Sequence, residues 1–166
     1  MIRYTVCASP LGDILLVANA DALTGLHFVD QKYLPEKTYE WVRDGFLPVL
    51  TEARRQLAEY FTGERREFDL PLAPTGTEFQ QAVWMKLREI PYGTTTSYGA
   101  IAQRLGQPTA SRAVGAANGR NPLGIIVPCH RVVGSAGSLT GYAGGLERKQ
   151  ALLALEQGQQ TLLPSG

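Results

Sequence analysis

The stretch SYGAIAQRLGQPTASRAVGAANG, residues 97–119, reads as two short helices joined by a tight turn. Ser97 suits an N-cap, because its hydroxyl can accept from the unpaired amides of a first helical turn. Ile101, Ala102 and Leu105 follow as an apolar stripe at helical spacing, and Gly106 supplies a left-handed stop. Gln107 and Pro108 make the turn, and Thr109 is expected to cap a second helix running through Ala117 to Gly119. This is the grammar of a helix-turn-helix, although plain helical hairpins share it.

The second helix is almost all Ala, Gly and Val. Apart from Thr109, only Ser111, Arg112 and Asn118 carry side chains suited to base contacts, whereas a helix that reads sequence in the major groove offers several such groups. It can approach a surface closely and discriminate little there. Arg112 is its one long probe, or else a solvated helix charge. The surrounding charge favours an anionic partner. Residues 90–146, 57 in a row, contain no Asp or Glu while carrying Arg104, Arg112, Arg120 and Arg131. Residues 1–89 hold 10 Lys/Arg against 13 Asp/Glu, so the overall net charge of +1 conceals the asymmetry. A segment without carboxylates does not repel phosphates.

Working outward toward the N-terminus, IRYTVCA, DILLVANA and LTGLHFV are β-rich runs separated by SPLG and NADA turn signals, the pattern of an antiparallel meander. Residues 36–46 fit neither period. From about Val49 to Phe61 the apolar spacing is helical and stops at Gly63. EFDLPLAPTG is then an extended linker, and Thr77 with Gln80 forms a candidate capping box before Phe79, Val83, Trp84 and Leu87. The expected fold is α+β. A small N-terminal α/β domain with an antiparallel sheet (1–74) precedes a mostly helical C-terminal domain containing the helix-turn-helix (75–166).

Toward the C-terminus, IVPCHRVVG (126–134) places one of two cysteines beside one of two histidines. Pro128 biases Val127 toward an extended conformation, and LGIIV before it is strand-like, so Cys129 is expected at the end of a buried element. A free thiol is only a few per cent ionised at neutral pH, and a nearby base or cation is what makes it nucleophilic. His130 and Arg131 are residues of those types. Neighbours in an extended segment face opposite ways, however, so a buried structural thiol is equally consistent with the motif alone. Glu156 follows Leu152 and Leu153 near a helix C-terminus, where an anion is disfavoured unless partnered. His27 lies in a strand pattern and reads as structural.

PCHRV, preceded by RNPLGIIV and followed by GSLTGYAGG, resembles the signature of the O6-alkylguanine-DNA alkyltransferases, the methylated-DNA–protein-cysteine methyltransferases. FQQAVWMKLREIPYGTTTSYGAIAQRLG, ASRAVGAANGRNP and GGLERKQALLALE extend the resemblance in order over about residues 77–157. It implies that Cys129 accepts the alkyl group irreversibly, once per molecule, with His130 as base through a water and Glu156 orienting the histidine. Asn121 would brace the turn before the cysteine. Tyr98 would donate to the flipped guanine, Tyr142 would line its pocket, and the carbonyls of Cys129 and Val132 with the amide of Ala143 would read its edge. Arg112 would fill the space left in the duplex, with Ser111, Ala113 and Thr109 beside it on the DNA. Position 143 is alanine where some relatives have serine.

Guanine within a duplex hides its O6, so chemistry there requires extrusion of the base, and a small-residue helix with one projecting arginine suits that act. A recognition module for alkylated DNA is the first alternative, against which the presence of Cys129 counts. A cysteine hydrolase is the second, which would need an oxyanion hole and turnover. No cofactor is implied. Some relatives bind zinc in the N-terminal domain, but only Cys7 and His27 are available here, two of the four ligands usually needed, so no metal is expected. No apolar run is long enough to span a bilayer and the N-terminus has no signal-like core. Two cysteines 122 positions apart fit reduced thiols. A monomeric, cytoplasmic protein acting on double-stranded DNA is expected.

Overall fold

The computed structural model describes residues 1–36, 40–134 and 137–158. Three strands, β1 (Arg3–Cys7), β2 (Ile14–Ala18) and β3 (Leu23–Phe28), form the expected antiparallel meander. A two-residue strand, β4 (Val42–Arg43), pairs parallel with β1, giving the order β3-β2-β1-β4. It falls in the segment whose period was ambiguous, because two residues are too few to show one.

Helix α1 (Pro48–Phe61) opens on a proline, whose missing amide costs nothing at that position. Its buried face, including Val49, Leu50, Ala53, Leu57 and Tyr60, covers the sheet. Truncating fully buried Leu50 to alanine should cost about 2–5 kcal/mol through lost transfer energy and the residual cavity. Gly63 ends the helix at φ +83°, where an L side chain would be strained.

The linker is extended as expected, but pinned. Gln56 of α1 donates to Asp69 O and accepts from Asp69 N, both at 2.9 Å. Leu23 N donates to Pro71 O at 2.8 Å, and Ala73 N to Leu23 O at 2.9 Å. Strand β3 lies at the sheet edge, and an edge's open amides and carbonyls need partners. The linker supplies some. The C-terminal half supplies others, through Leu26 N to Pro122 O (2.8 Å) and Gly124 N to Leu26 O (3.2 Å). The core accordingly runs without interruption from Ile14 and Leu16 to Leu123, Ile125 and Leu152.

Helix α2 (Glu78–Arg88) starts with the predicted capping box, Gln80 N to Thr77 Oγ1 at 3.1 Å and Thr77 N to Gln80 Oε1 at 3.0 Å. After β5 (Thr96–Ser97) come α3 (Tyr98–Arg104), capped by Ser97, and α4 (Ser111–Gly119). Trp84 Nε1 donates to Ala117 O at 2.9 Å and fastens α2 to α4. The expectation for Thr109 is corrected. The N-cap is Ala110, without a side-chain cap, because a turn closed by Ala110 N to Gln107 O (2.9 Å) carries the chain past Thr109 before the helix begins.

The LGIIV expectation is also corrected. This run is buried but coiled, with Ile125 at φ +70° and turn bonds Ile126 N to Gly124 O (2.8 Å) and Val127 N to Leu123 O (2.9 Å). The reason is Asn121, which accepts from Leu123 N (3.0 Å) and donates to Val127 O (2.8 Å), satisfying groups that a strand would pair with a neighbour. Cys129 begins a single 3-10 turn (Cys129–Arg131), followed by β6 (Val132–Val133), which pairs parallel with β5, and later by α5 (Leu146–Glu156). Among the described residues no helix is long and apolar enough to cross a membrane.

Candidate active site

The 3-10 turn delivers Cys129, His130 and Arg131 to the junction of α5 with the core, and all three are buried. His130 Nε2 lies 2.7 Å from Glu156 Oε2. Arg131 does not serve the thiol. Its guanidinium grips the same carboxylate through Nε (2.7 Å) and Nη2 (2.9 Å) and donates through Nη1 to Ile90 O (2.7 Å). Tyr60 adds a fourth donor at 2.6 Å. Burial pushes the Glu156 carboxyl upward, but hydrogen bonds from His130 and Arg131 more than offset this and hold it at about 2. The anion at a helix C-terminus is thereby explained: its charge is met by Arg131, not by solvent.

His130 is completely buried, and desolvation pushes its pKa down despite the neighbouring carboxylate. A neutral imidazole donating through Nε2 keeps a lone pair on Nδ1, which is buried and has no partner among the described residues. The imidazole thus has one nitrogen committed to Glu156 and the other buried and unpaired among the described residues.

Burial likewise pushes the Cys129 thiol up, opposed by a hydrogen bond from Asn121 and by the charge of Lys149. The cation that acts on the thiol is thus Lys149, not Arg131. Lys149 is fully buried and donates to Val132 O at 2.6 Å and Thr140 O at 2.7 Å. Neither Lys149 nor Tyr60 was singled out in the sequence, where each looks like an ordinary helix residue.

Asn121 lies between α4 and the cysteine turn, where it bonds Val127 O and Leu123 N. Asn118 Nδ2, at 3.4 Å, makes a long contact to Cys129 O. Tyr98 is half-buried, and its hydroxyl meets Thr140 Oγ1 at 2.8 Å. A cavity of about 1030 Å³ is lined by Tyr98, by Gly115, Ala116 and Gly119 of α4, and by Tyr142 and Ala143. Its far wall, Asp30–Tyr33, comes from the N-terminal half and was not foreseen. Val132 is buried beside Cys129, its carbonyl held by Lys149. Thr109, Arg112 and Ala113 are exposed and Ser111 half-exposed at the start of α4. The predicted residues thus fall into a buried network around Cys129 and His130, a pocket and an open helix face. Among the described residues no three His, Cys, Asp or Glu side chains converge as a metal site.

Two family models match the chain. One described as 6-O-methylguanine DNA methyltransferase, ribonuclease-like domain, covers residues 2–74, and one described as 6-O-methylguanine DNA methyltransferase, DNA binding domain, covers residues 78–158. Proteins named methylated-DNA–protein-cysteine methyltransferase are similar over nearly the whole length. That of Mycolicibacterium paratuberculosis is 52% identical, covering 95% of this chain and 93% of its own. That of Methanosarcina acetivorans is also 52% identical, covering 92% and 97%. The structure of Mycobacterium tuberculosis OGT in complex with DNA superposes with a TM-score of 0.87 at 48% identity, covering 95% of this chain and 94% of that one.

Proposed function

The chain belongs to the 6-O-methylguanine DNA methyltransferase family, and on that premise we propose that it repairs O6-alkylguanine in duplex DNA by one irreversible transfer to Cys129. The thiol proton passes through a water to His130 Nδ1, whose orientation Glu156 fixes through Nε2. The Sγ–carbon bond then forms as the carbon–O6 bond breaks. The electron pair left on the guanine is quenched by a proton taken from solvent at the purine, with Tyr98 donating a hydrogen bond to the base, while His130 returns the thiol's proton to solvent and ends neutral. The thioether is the end state, so each molecule acts once and needs no cofactor.

The bond between His130 and Glu156 carries this reading, because it leaves one imidazole nitrogen free on the residue next to the thiol. Asn121 supports the turn bearing Cys129. Tyr142, the Cys129 and Val132 carbonyls and the Ala143 amide receive the flipped base. Arg112 enters the duplex in its place, with Thr109, Ser111 and Ala113 against the strand, giving affinity with little sequence preference. The chemistry resides in residues 75–166, supported by residues 1–74, and the protein acts as a monomer.

The test is incubation with excess duplex oligonucleotide containing O6-methylguanine, followed by mass spectrometry. One methyl per chain, mapped to Cys129 and absent from Cys129→Ala, is the expected result. Binding without mass gain would establish recognition only, and continued turnover on an ester or amide would establish a hydrolase.

A further inference from the structure

We propose that Arg148, anchored by Asp30, is a positioning residue through which the N-terminal sheet sets the width of the base pocket. The inference rests on the reading above. Arg148 lies in the first turn of α5, directly after the loop that carries Tyr142 and Ala143. Its guanidinium donates through Nη1 to Asp30 Oδ1 (2.7 Å) and Gly144 O (3.1 Å), through Nη2 to Asp30 Oδ2 (3.4 Å), and through Nε to Leu11 O (2.8 Å). The same group lies over the Phe28 ring, 4.3 Å from its centroid. One side chain thus joins the β1–β2 turn, the end of β3 and the pocket loop.

The fit leaves little slack. A side chain at Gly12 would begin 2.9 Å from Arg148 Nη2, and one at Gly144 would begin 2.7 Å from the Tyr142 ring and 3.0 Å from Phe28. Lys32 N adds a second tie to the loop, donating to Ala143 O at 3.2 Å. The turn leading to Cys129 is held by the same strand, since Leu26 of β3 pairs with Pro122 and Gly124. Nucleophile and base loop are therefore both referenced to residues 26–32, and their separation is set by one short stretch of sheet and its exit.

Charge alone does not account for this arrangement. The Asp30 side chain is 67% exposed, and an ion pair so open to water contributes little. What Arg148 supplies is a planar fork that bonds a carboxylate and two carbonyls while stacking on a ring, which a lysine cannot reproduce.

The test compares the parent protein with Arg148→Met, Arg148→Lys and Asp30→Ala in single-turnover transfer from an O6-methylguanine duplex. In parallel, Cys129 is modified by iodoacetamide in the absence of DNA between pH 6 and 9. Arg148→Met should raise the half-saturating duplex concentration and slow transfer by about 10- to 100-fold, the usual consequence of misplacing a reacting group by about an ångström. Arg148→Lys should recover little, and Asp30→Ala should show a smaller loss because the ties to Gly144 and Leu11 remain. Iodoacetamide reactivity should keep the parent's rate and pH profile. Equal loss in both reactions, or transfer at the parental rate, overturns the clamp. If Arg148→Met fails to fold, the exposed Asp30→Ala decides by the same two readouts. A parent that accepts no methyl overturns the proposed function, and the clamp with it.

Discussion

Tyr60, on α1, donates a 2.6 Å hydrogen bond to Glu156 Oε2, on the last helix, 96 residues away in the chain. The carboxylate bonded to His130 is therefore held by both halves of the molecule, and its four donors make it the electrostatic centre of the site.

Glu156→Gln should be strongly destabilising, because it leaves the Arg131 guanidinium buried without a counter-charge. A loss of about 3–5 kcal/mol is expected from urea unfolding at neutral pH. The carboxyl is held at about 2 against an ordinary 4.5, so its contribution is complete above pH 4.5 and is lost as pH falls toward 2. The variant's stability should accordingly vary less with pH in that window. Methyl transfer should slow in parallel, and an unchanged transfer rate across pH would remove Glu156 from the mechanism.

His27 offers a second pH test away from the site. Burial lowers it from 6.5 to about 4, so the folded state prefers the neutral ring. Its contribution is complete above pH 6.5 and is lost as pH falls through 4, about 3 kcal/mol in all. His27→Gln should remove that part of the acid sensitivity between pH 6.5 and 4, measured by denaturant unfolding at several pH values. A slope equal to the parent's would contradict the assignment.

Arg112→Ala should slow transfer from duplex DNA by an order of magnitude or more, by analogy with the cost of unstacking a paired base, which is a few kcal/mol. Reaction with free O6-methylguanine base should be little affected, since Arg112 is exposed on α4 and is not among the residues bonded to Glu156 and His130. Equal losses on both substrates would show that it does not assist flipping.

The two threonines give a contrast in folding energetics. Thr77→Ala breaks a reciprocal capping box and should cost about 1 kcal/mol, whereas Thr109→Ala, exposed and outside the α4 cap, should be nearly neutral. Thermal melts of the two variants side by side check both. A comparable loss at Thr109 would restore it as a cap.

By itself the sequence determined what depends on near neighbours. The meander follows from turn residues between β-branched runs, α1 and α2 from apolar spacing with their caps and stops, and α3–α4 from the Ser97, Gly106 and Pro108 punctuation. Local chemistry also put Cys129 next to His130, and it left Glu156 conspicuous as a carboxylate at the wrong end of a helix. It failed where a local signal competed with a local alternative: Thr109 had the right type for a cap, and Leu123–Val127 the right composition for a strand, yet a backbone turn carried the chain past Thr109 and the Asn121 side chain satisfied the groups of the apolar run. Tertiary structure alone decided how charge is partnered. Arg131, adjacent to the cysteine, turns to Glu156, while the thiol's cation is Lys149, 20 residues on. Tyr60 and the Asp30–Tyr33 wall come from the other half of the molecule. Such pairings depend on which side chains are buried together, and a desolvated charge takes whatever partner the packing provides, at a sequence distance that no periodicity records.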